Sequence, residues 1–235
     1  MILKKIFNLF GYTFTKHKKS ENMDEIISLR LSLNPADILI DVGANYGDFS
    51  YKHKNKFKKI YMIEPNEDLI KLLSNRFDNK NKYKILKFGI SNTNKKTTLY
   101  KTNDTQKTLS STRKQTKEMR INFRNTKIVD KVQIQLKRLD SFLKTTNINN
   151  NSIFLKIDTQ GNDLETLNSI GKYIKNIKYI KTELPSIKLY NTNYNHWNIL
   201  EFLKKNNFKP VIFENISRTK NGELIEYDAF FEKVK

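Results

Sequence analysis

The chain has 235 residues, and 44 Lys and Arg residues against 24 Asp and Glu residues give it a formal charge of +20. This length fits one α/β domain with insertions and is ample for a sizeable hydrophobic core. Because the chain contains no cysteine, disulfides and thiolate metal sites are excluded. No stretch reaches the roughly 20 apolar residues that a membrane-spanning helix needs.

The basic surplus allows two interpretations. The positive charge would suit a polyanionic partner, such as nucleic acid, an anionic membrane or an acidic glycan. Lysines scattered along the chain, together with abundant Asn and Ile, instead indicate the bias of A/T-rich codons. Arginines, which bind phosphate in a bidentate manner, are few. We favour the compositional interpretation and do not expect nucleic acid as a partner.

Taken in chain order, the apolar patterns predict helices that alternate with strands. Helices are predicted at Met23–Leu33, Phe49–Phe57, Asp68–Phe77, Leu139–Leu143, Asp163–Ile170 and His196–Asn206. Strands are predicted from Ile38 into a glycine-bearing turn, and at Lys59–Ile63, Tyr83–Phe88, Thr97–Tyr100, Val132–Leu136, Ile153–Asp158, Ile177–Leu184, Phe208–Phe213 and Tyr227–Val234. The polar stretch from Lys101 to Asp130 has no clear period, which is typical of a functional loop, a lid or a partly disordered segment.

The N-terminal residues carry apolar side chains at helical spacing among lysines, namely Ile2, Leu3, Ile6, Phe7 and Phe10. A basic amphipathic helix can lie on an anionic membrane surface. The alternative is a helix that packs on the domain or frays. We predict residues 1–36 to be a basic, amphipathic, helical segment and residues 37–235 to be one domain with a polar insertion near 101–130.

Strands that alternate with helices predict an α/β fold with a mostly parallel, doubly wound sheet. In such sheets, ligands bind outside the carboxyl ends of the strands. Polar side chains fall at five of these predicted strand ends, which makes that edge the candidate site. They are Asp41, Glu64, Ser91, Asp158 and Glu183.

The turn after the first strand favours one class of nucleoside ligand. A dinucleotide fingerprint would have glycine where this chain has Asp41, because pyrophosphate must approach the backbone there. A carboxylate repels pyrophosphate but suits a ligand with an ammonium group and hydroxyls, which favours S-adenosylmethionine over NAD. Gly43 and Gly47 permit close backbone approaches, and we expect free backbone N–H groups beside the ligand. Glu64 can accept hydrogen bonds from both ribose hydroxyls.

Asp41, the two glycines and Glu64 resemble the pattern of class I S-adenosylmethionine-dependent methyltransferases, and further motifs resemble the FkbM family. The motifs are Asp41-Val42-Gly43-Ala44-Asn45-Tyr46-Gly47, Ile63-Glu64-Pro65-Asn66, Arg138-Leu139-Asp140-Ser141-Phe142, Leu155–Leu167, and Lys181-Thr182-Glu183 with Leu189-Tyr190 after it. The resemblance implies a Rossmann-like, seven-stranded, mostly parallel sheet whose last strand is antiparallel. One departure is Gln160, where many members carry an acid, and it puts an acid/base role there in doubt.

The resemblance also implies S-adenosylmethionine as cofactor, bound by Asp41, Gly43, Ala44, Asn45, Gly47, Glu64, Pro65, Ser91 and Asp158. It implies O-methylation, commonly of a sugar hydroxyl in a surface glycan or a glycan precursor. We therefore expect a carbohydrate acceptor and a cytoplasmic protein, with weak contact between the N-terminus and the inner face of the membrane as an added possibility.

Four residues are candidates for the chemistry. Asp158 is either a general base or a structural carboxylate that holds its own turn or the ammonium group of the cofactor. Glu183 can orient the acceptor or join Asp158 at a metal. Lys156 is either a charge partner or an anchor for an acidic sugar, and His196 can reach the acceptor pocket. Without clustered histidines no zinc site is expected, and a weak Mg²⁺ site stays open.

Two other functions compete with glycan O-methylation. A nucleic-acid methyltransferase would suit the charge, but Asp158-Thr159-Gln160-Gly161 lacks the proline pair of enzymes that methylate base amino groups. A non-catalytic or membrane-docking module that retained the fold is the other alternative.

Overall fold

In the computed structural model, which describes residues 22–103, 109–146, 148 and 151–234, helices alternate with strands along most of the chain. The helices are α1 Met23–Leu33, α2 Asp48–His53, α3 Glu67–Arg76, α4 Lys117–Asn122, α5 Leu139–Lys144, α6 Asp163–Asn168 and α7 His196–Lys205, with 3-10 turns at Lys54–Lys56 and Gly171–Asn176. The strands are β1 Ile38–Val42, β2 Lys59–Ile63, β3 Tyr83–Leu86, β4 Gly89–Ile90, β5 Lys95–Thr102, β6 Ile128–Lys137, β7 Ile153–Ile157, β8 Ile177–Pro185, β9 Phe208–Arg218 and β10 Leu224–Lys233.

Seven of these strands form one sheet in the order β3-β2-β1-β7-β8-β10-β9. Neighbours from β3 to β8 pair in parallel, whereas β10 runs antiparallel to both β8 and β9. The predicted fold class is therefore confirmed, including its antiparallel last strand. The carboxyl ends of β1, β2, β7 and β8 meet at one edge, which is where the polar strand-end residues were expected to converge.

The two central strands, β1 and β7, are buried at every position. One face of the sheet packs under α1, where Ile27 joins Leu39 and Phe154 in one apolar cluster. The other face packs against α5 and α7, with Ile40 and Leu155 in the second cluster. Burial on both faces explains why these strands are continuous apolar runs and do not alternate.

Helix α1 belongs to this core. Asn22 caps it by accepting a 3.0 Å hydrogen bond from Glu25 N, and Met23, Ile27 and Leu31 are buried at four-residue spacing. The predicted division between residues 1–36 and 37–235 stays a prediction. The expectations about the first 20 residues lie outside the described part of the chain. Over the described ranges, no helix combines the length and apolar character needed to cross a bilayer.

The polar insertion is more ordered than expected. Strands β5 and β6 extend the predicted Thr97–Tyr100 and Val132–Leu136 into a longer antiparallel pair, which joins β4 in a separate three-stranded sheet. Helix α4 is capped by Thr116, and its Met119 packs against Leu189 and Tyr190. The sequence did not predict the full length of β5 and β6 or helix α4, because cross-strand and long-range contacts stabilise them and no apolar period marks them.

The expected third strand divides in two, which moves Ser91. Residues Tyr83–Leu86 join the large sheet, while Gly89–Ile90 pair in parallel with β6 in the small one. Ser91, predicted at the end of a strand of the main sheet, therefore follows a strand of the small sheet, where its N–H donates to Lys137 O at 3.0 Å. In the two-residue break between β3 and β4, the buried Phe88 contacts the ring of Phe142.

Candidate active site

Asp41 lies beneath the glycine turn. It is fully buried, and Ser50 Oγ donates to its Oδ2 at 2.7 Å. Lys156 Nζ lies 3.1 Å from Oδ1, an ion-pair distance without hydrogen-bond geometry, since Oδ1 accepts no hydrogen bond within the described residues. Asp41 therefore supports the turn from inside the sheet, held by charge and a hydroxyl group.

Gly43 is the point of closest approach between the turns that follow β1 and β7. Its φ is +72°, and a Cβ at this position would lie only 1.8 Å from Asp158 O. Any other residue would separate the two turns. Lys156 Nζ donates to Gly43 O at 2.7 Å, which fastens the turn to β7.

The expectation of free backbone N–H groups in this turn is wrong for most of its amides. Gly43 N and Ala44 N donate to Ile63 O at 2.9 and 3.2 Å, and Gly47 N donates to Ala44 O at 2.7 Å. Asn45 N donates to Glu64 Oε2 at 2.9 Å. These amides are engaged in hydrogen bonds within the turn and to residues at the end of β2. A ligand can therefore be contacted by side chains and by the backbone surface of the glycines.

Glu64 is held at the end of β2 by two backbone amides. Its Oε2 accepts from Asn45 N, and its Oε1 accepts from Asn66 N at 2.9 Å. Burial raises the pKa of Glu64 to about 7, although both hydrogen bonds oppose the shift. Each oxygen keeps a second lone pair, so the two ribose hydroxyls expected from the sequence can still be accepted.

Glu64 lines a cavity together with Gly43, Asn45, Pro65, Asn66 and Asp158, which we call the glycine-turn cavity. Asn45 Oδ1 and Asn66 Nδ2 are buried there without a hydrogen-bond partner among the described residues. Buried polar atoms without partners are rare and mark a place where a polar ligand fits. The other residues predicted to bind the cofactor do not line this cavity. They are Asp41, Ala44, Gly47 and Ser91.

The end of β7 carries the carboxylate of Asp158. Its side chain is 45% exposed, and its Oδ1 accepts from Gln160 Nε2 at 2.9 Å. Burial works against the charge of Asp158, but Lys156, the Gln160 hydrogen bond and Lys181 together lower its pKa. Asp158 is therefore ionised at neutral pH.

Lys156 is enclosed by the same groups. Burial favours the neutral amine, but the charges of Asp41 and Asp158 raise the pKa of Lys156 further than burial lowers it. The ammonium lies 3.6 Å from Asp158 Oδ2 and 3.1 Å from Asp41 Oδ1. This geometry corresponds to the charge-partner alternative, because the buried ammonium contacts Asp41, Asp158 and the carbonyl oxygen of Gly43.

A second cavity of about 510 Å³ opens beyond the Gln160–Gly161 turn, and we call it the carboxylate cavity. Asp163, Glu183 and Glu226 line it, with Tyr190, Asn193 and the exposed Lys188. Neither Glu183 nor Glu226 makes an ion pair within the described residues. Negative charge here is therefore poorly compensated.

Burial, together with neighbouring negative charges, raises the pKa values of these three carboxyls. Burial first, and then the charges of Glu226 and Asp158, raise the pKa of Glu183 well above its usual range. Burial and Asp158 raise the pKa of Glu226 to about 7. Burial raises the pKa of Asp163 to about 6, although Thr159 N and Gly161 N donate to it at 3.2 and 3.3 Å. Asp163 therefore also caps its own turn.

His196 does not line the carboxylate cavity. Its ring is buried, and Nδ1 donates to Pro185 O at 3.2 Å. Trp197, whose ring centroid is 4.6 Å from the imidazole, is exposed. His196, predicted to reach the acceptor pocket, is therefore buried outside the lining of this cavity.

Two further groups line the carboxylate cavity: Tyr190, which sequence reasoning named only as part of the Leu189-Tyr190 motif and without a role, and Glu226, which it missed. Tyr190 follows β8 in a loop, and its hydroxyl donates to Gln160 Oε1 at 2.8 Å. Glu226 arrives from β10, paired with Pro185 across the antiparallel ladder. No local pattern identifies Glu226, because only the register between β8 and β10 brings it to the cavity. Within the described ranges, no three His, Asp or Glu side chains could hold a metal ion.

Comparisons with known proteins identify relatives of this chain. A family model for the methyltransferase FkbM domain matches residues 41–210. A probable ribosomal RNA small subunit methyltransferase A from Methanosarcina barkeri (strain Fusaro) is 33% identical over 79 residues, which is 33% of this chain and 27% of that protein.

Solved structures with a similar chain path include the methyltransferase FkbM from Methylobacillus flagellatus KT, with a TM-score of 0.49 and 14% identity over 83% of this chain and 43% of that one. TrmK from M. capricolum, in complex with S-adenosyl-homocysteine, gives a TM-score of 0.46 and 11% identity over 88% of this chain and 67% of that one. The chain therefore spans less than half the length of the archaeal relative and of the FkbM structure.

Proposed function

Because the chain belongs to the FkbM methyltransferase family, we propose that it methylates a sugar hydroxyl of a surface glycan or glycan precursor. S-adenosylmethionine is the cofactor of this family and supplies an electrophilic methyl group when bound. The observation that carries the proposal is the position of the Gln160–Gly161 turn, which has the glycine-turn cavity on one side and the carboxylate cavity on the other.

The glycine-turn cavity fits the nucleoside part of the cofactor. Glu64 would accept the ribose hydroxyls, and the unpartnered Asn66 Nδ2 and Asn45 Oδ1 offer a donor and an acceptor for other polar groups of the ligand. Asp158, at the boundary of the two cavities, would face the reacting end. We expect Glu64→Gln to weaken cofactor binding in calorimetry, with the exposed Glu67→Gln as its control.

The chain's own catalytic work is to orient a hydroxyl group and to accept its proton. A sugar hydroxyl is a weak nucleophile, so a base within hydrogen-bond reach accelerates its attack. The lowered pKa of Asp158 makes it a lasting hydrogen-bond acceptor, whereas the raised pKa of Glu183 makes its carboxylate a stronger base than an ordinary one. We assign orientation to Asp158 and proton acceptance to Glu183.

The charge of the carboxylate cavity supports an acceptor without phosphates. Asp163, Glu183 and Glu226 line the cavity, and like charges there would repel a polyphosphate chain. A neutral, hydroxyl-rich sugar can donate hydrogen bonds to the same oxygens. The acidic lining contrasts with the formal charge of +20 for the whole chain.

Nucleic-acid methylation is the second candidate. The curated relative from M. barkeri is named as a probable ribosomal RNA methyltransferase, and a basic chain suits an RNA backbone. If RNA is the acceptor, binding weakens steeply as salt rises, with a slope set by the number of phosphates contacted.

The deciding experiment transfers a labelled methyl group to a panel of nucleotide sugars, neutral oligosaccharides and structured RNA, and locates the label by mass spectrometry. We expect the label on a sugar hydroxyl. The variant Glu183→Gln should lower the transfer rate by about 10²-fold or more while cofactor affinity is retained. Label on RNA alone would overturn the glycan proposal and favour the second candidate.

A further inference from the structure

Gln160 lines the glycine-turn cavity, and its side chain contacts Glu183, which lines the carboxylate cavity. Its backbone is left-handed, with a φ of +50°. Its side-chain nitrogen Nε2 donates to Asp158 Oδ1 at 2.9 Å and to Glu183 Oε2 at 3.4 Å. One amide thus joins the carboxylate at the end of β7 to the carboxylate near the end of β8.

The orientation of this amide is fixed by its neighbours. The oxygens of ionised Asp158 only accept hydrogen bonds, so the NH₂ group must face Asp158. The amide oxygen then faces Tyr190, whose hydroxyl donates to Oε1 at 2.8 Å and shares its single hydrogen with Leu109 O at 3.2 Å. Each polar atom of the Gln160 side chain therefore has a partner.

The backbone of Gln160 is also anchored. Ser111 Oγ, from the polar insertion, donates to Gln160 O. The next residue, Gly161, has a φ of +100°, and a Cβ there would lie 2.9 Å from Tyr190 Cβ. Contacts from the insertion and from the loop after β8 thus hold the turn in its strained conformation.

We propose that Gln160 is a positioning residue whose neutral amide sets the separation of the Asp158 and Glu183 carboxylates and keeps Asp158 ionised. The proposal rests on the proposed function for its catalytic consequence, but its structural claim concerns only these three side chains. A carboxylate at position 160 would have the same shape and no hydrogen to donate. It would place a negative charge against the ionised Asp158 carboxylate.

The test substitutes that carboxylate. In Gln160→Glu we expect the pKa of Asp158 to rise by about one unit or more, because a donor is lost and a like charge is gained. The measurement is a ¹³C-carboxyl NMR titration of protein labelled on aspartate, with the Asp158 signal identified by its loss in Asp158→Asn. The substituted glutamate adds no aspartate signal.

The matched control is Gln133→Glu. Gln133 is exposed and donates to Thr98 Oγ1 on the small sheet, so the same charge is added away from the two cavities. We expect it to leave the Asp158 midpoint within a few tenths of a unit. Equal midpoints in wild type and Gln160→Glu would overturn the proposal.

A kinetic readout follows if the acceptor panel yields a substrate. The acid limb of the pH profile for kcat/KM should then move to higher pH in Gln160→Glu and stay in place in Gln133→Glu. A shifted NMR midpoint without methyl transfer to any acceptor would support the positioning role and refute the proposed function. An unshifted midpoint in an active enzyme would refute the positioning role alone.

Discussion

The two cavities are built in opposite ways. Around the glycine-turn cavity the carboxylates have nearby partners: Glu64, in the lining, has two backbone amides, and Asp41, outside the lining, has Lys156 and Ser50. In the carboxylate cavity, Glu183 and Glu226 have no cationic partner within the described residues. In the glycine-turn cavity the atoms without a partner among the described residues are the neutral amide atoms Asn45 Oδ1 and Asn66 Nδ2, whereas in the carboxylate cavity the groups without a cationic partner are carboxyls.

The two cavities also differ in where their residues come from. Residues 43–45 and 64–66 supply the polar groups of the glycine-turn cavity that the sequence motifs identified, while the small sheet, the polar insertion and the turn after β7 supply most of its lining. The carboxylate cavity combines α6, β8, the loop after β8 and β10. The motif residues of the glycine-turn cavity can be recognised in short segments of sequence. The residues that the rest of the fold brings to either cavity cannot be recognised in this way.

The largest effect is expected at Gly43. In Gly43→Ala a Cβ would meet Asp158 O at 1.8 Å in a left-handed backbone, so we expect a loss of more than about 4 kcal/mol or failure to fold. Gly222→Ala is the matched control, because Gly222 has a φ of +86° with open space around it. It should lose only about 1–2 kcal/mol. Denaturant unfolding measures both, and equal losses would contradict the close-approach argument.

The next effect tests the charge balance beneath the turn. Lys156→Met leaves Asp41 buried and unpaired, which should cost about 3–5 kcal/mol of unfolding free energy. Adding Asp41→Asn removes the stranded charge and should restore part of this loss. The surface pair of Lys58 and Asp37, at 2.7 Å, provides the control, since Lys58→Met should cost at most about 1 kcal/mol. A double mutant no more stable than Lys156→Met would contradict the pairing.

Glu64 should link cofactor binding to stability. Its pKa in the folded protein, about 7, lies above the ordinary 4.5, so its protonated form stabilises the fold below about pH 4.5. That contribution, about 3 kcal/mol, is lost as pH rises through about 7. Glu64→Gln should therefore flatten the decline in stability between these pH values while weakening cofactor affinity by about tenfold. Unfolding curves across this pH range, with and without S-adenosylmethionine, measure both effects.

Glu64→Gln also separates the two effects of this carboxylate. A variant that is less stable at pH 8 than wild type would contradict the desolvation argument for Glu64. The exposed Glu67→Gln should change neither the pH dependence nor the cofactor affinity. Glu64→Gln should thus raise the stability at pH 8 and weaken cofactor binding, whereas Glu67→Gln should change neither.

The sequence predicted what depends on local pattern. Continuous apolar runs identified the central strands, and the positions of Asp41, Glu64 and Asp158 at strand ends identified the edge at which they meet. The spacing of Lys156 and Asp158 correctly placed them on one face of β7, where the ammonium lies 3.6 Å from the carboxylate.

What the sequence did not predict depends on register and on contacts between distant segments. Glu226 reaches the carboxylate cavity only because β10 pairs with β8 so that Glu226 lies opposite Pro185. The insertion gave no period, yet Ser111 and Met119 fasten it to the Gln160 turn and to Tyr190. The hydrogen bonds from the glycine turn to Ile63 O and Glu64 likewise depend on the position of β2. No pattern within the turn predicts them.

The smallest effect tests the acceptor side alone. Glu226→Gln removes one negative charge from the carboxylate cavity without touching the glycine-turn cavity, so cofactor affinity should stay unchanged. An acceptor that carries a carboxylate, such as a uronic-acid oligosaccharide, should then bind several-fold more tightly, since one repulsive charge is gone. Competition of that oligosaccharide with a neutral acceptor measures the change, with the exposed Glu223→Gln as control. An equal gain in both variants would mean that the surface charge as a whole, and not the lining of this cavity, selects the acceptor.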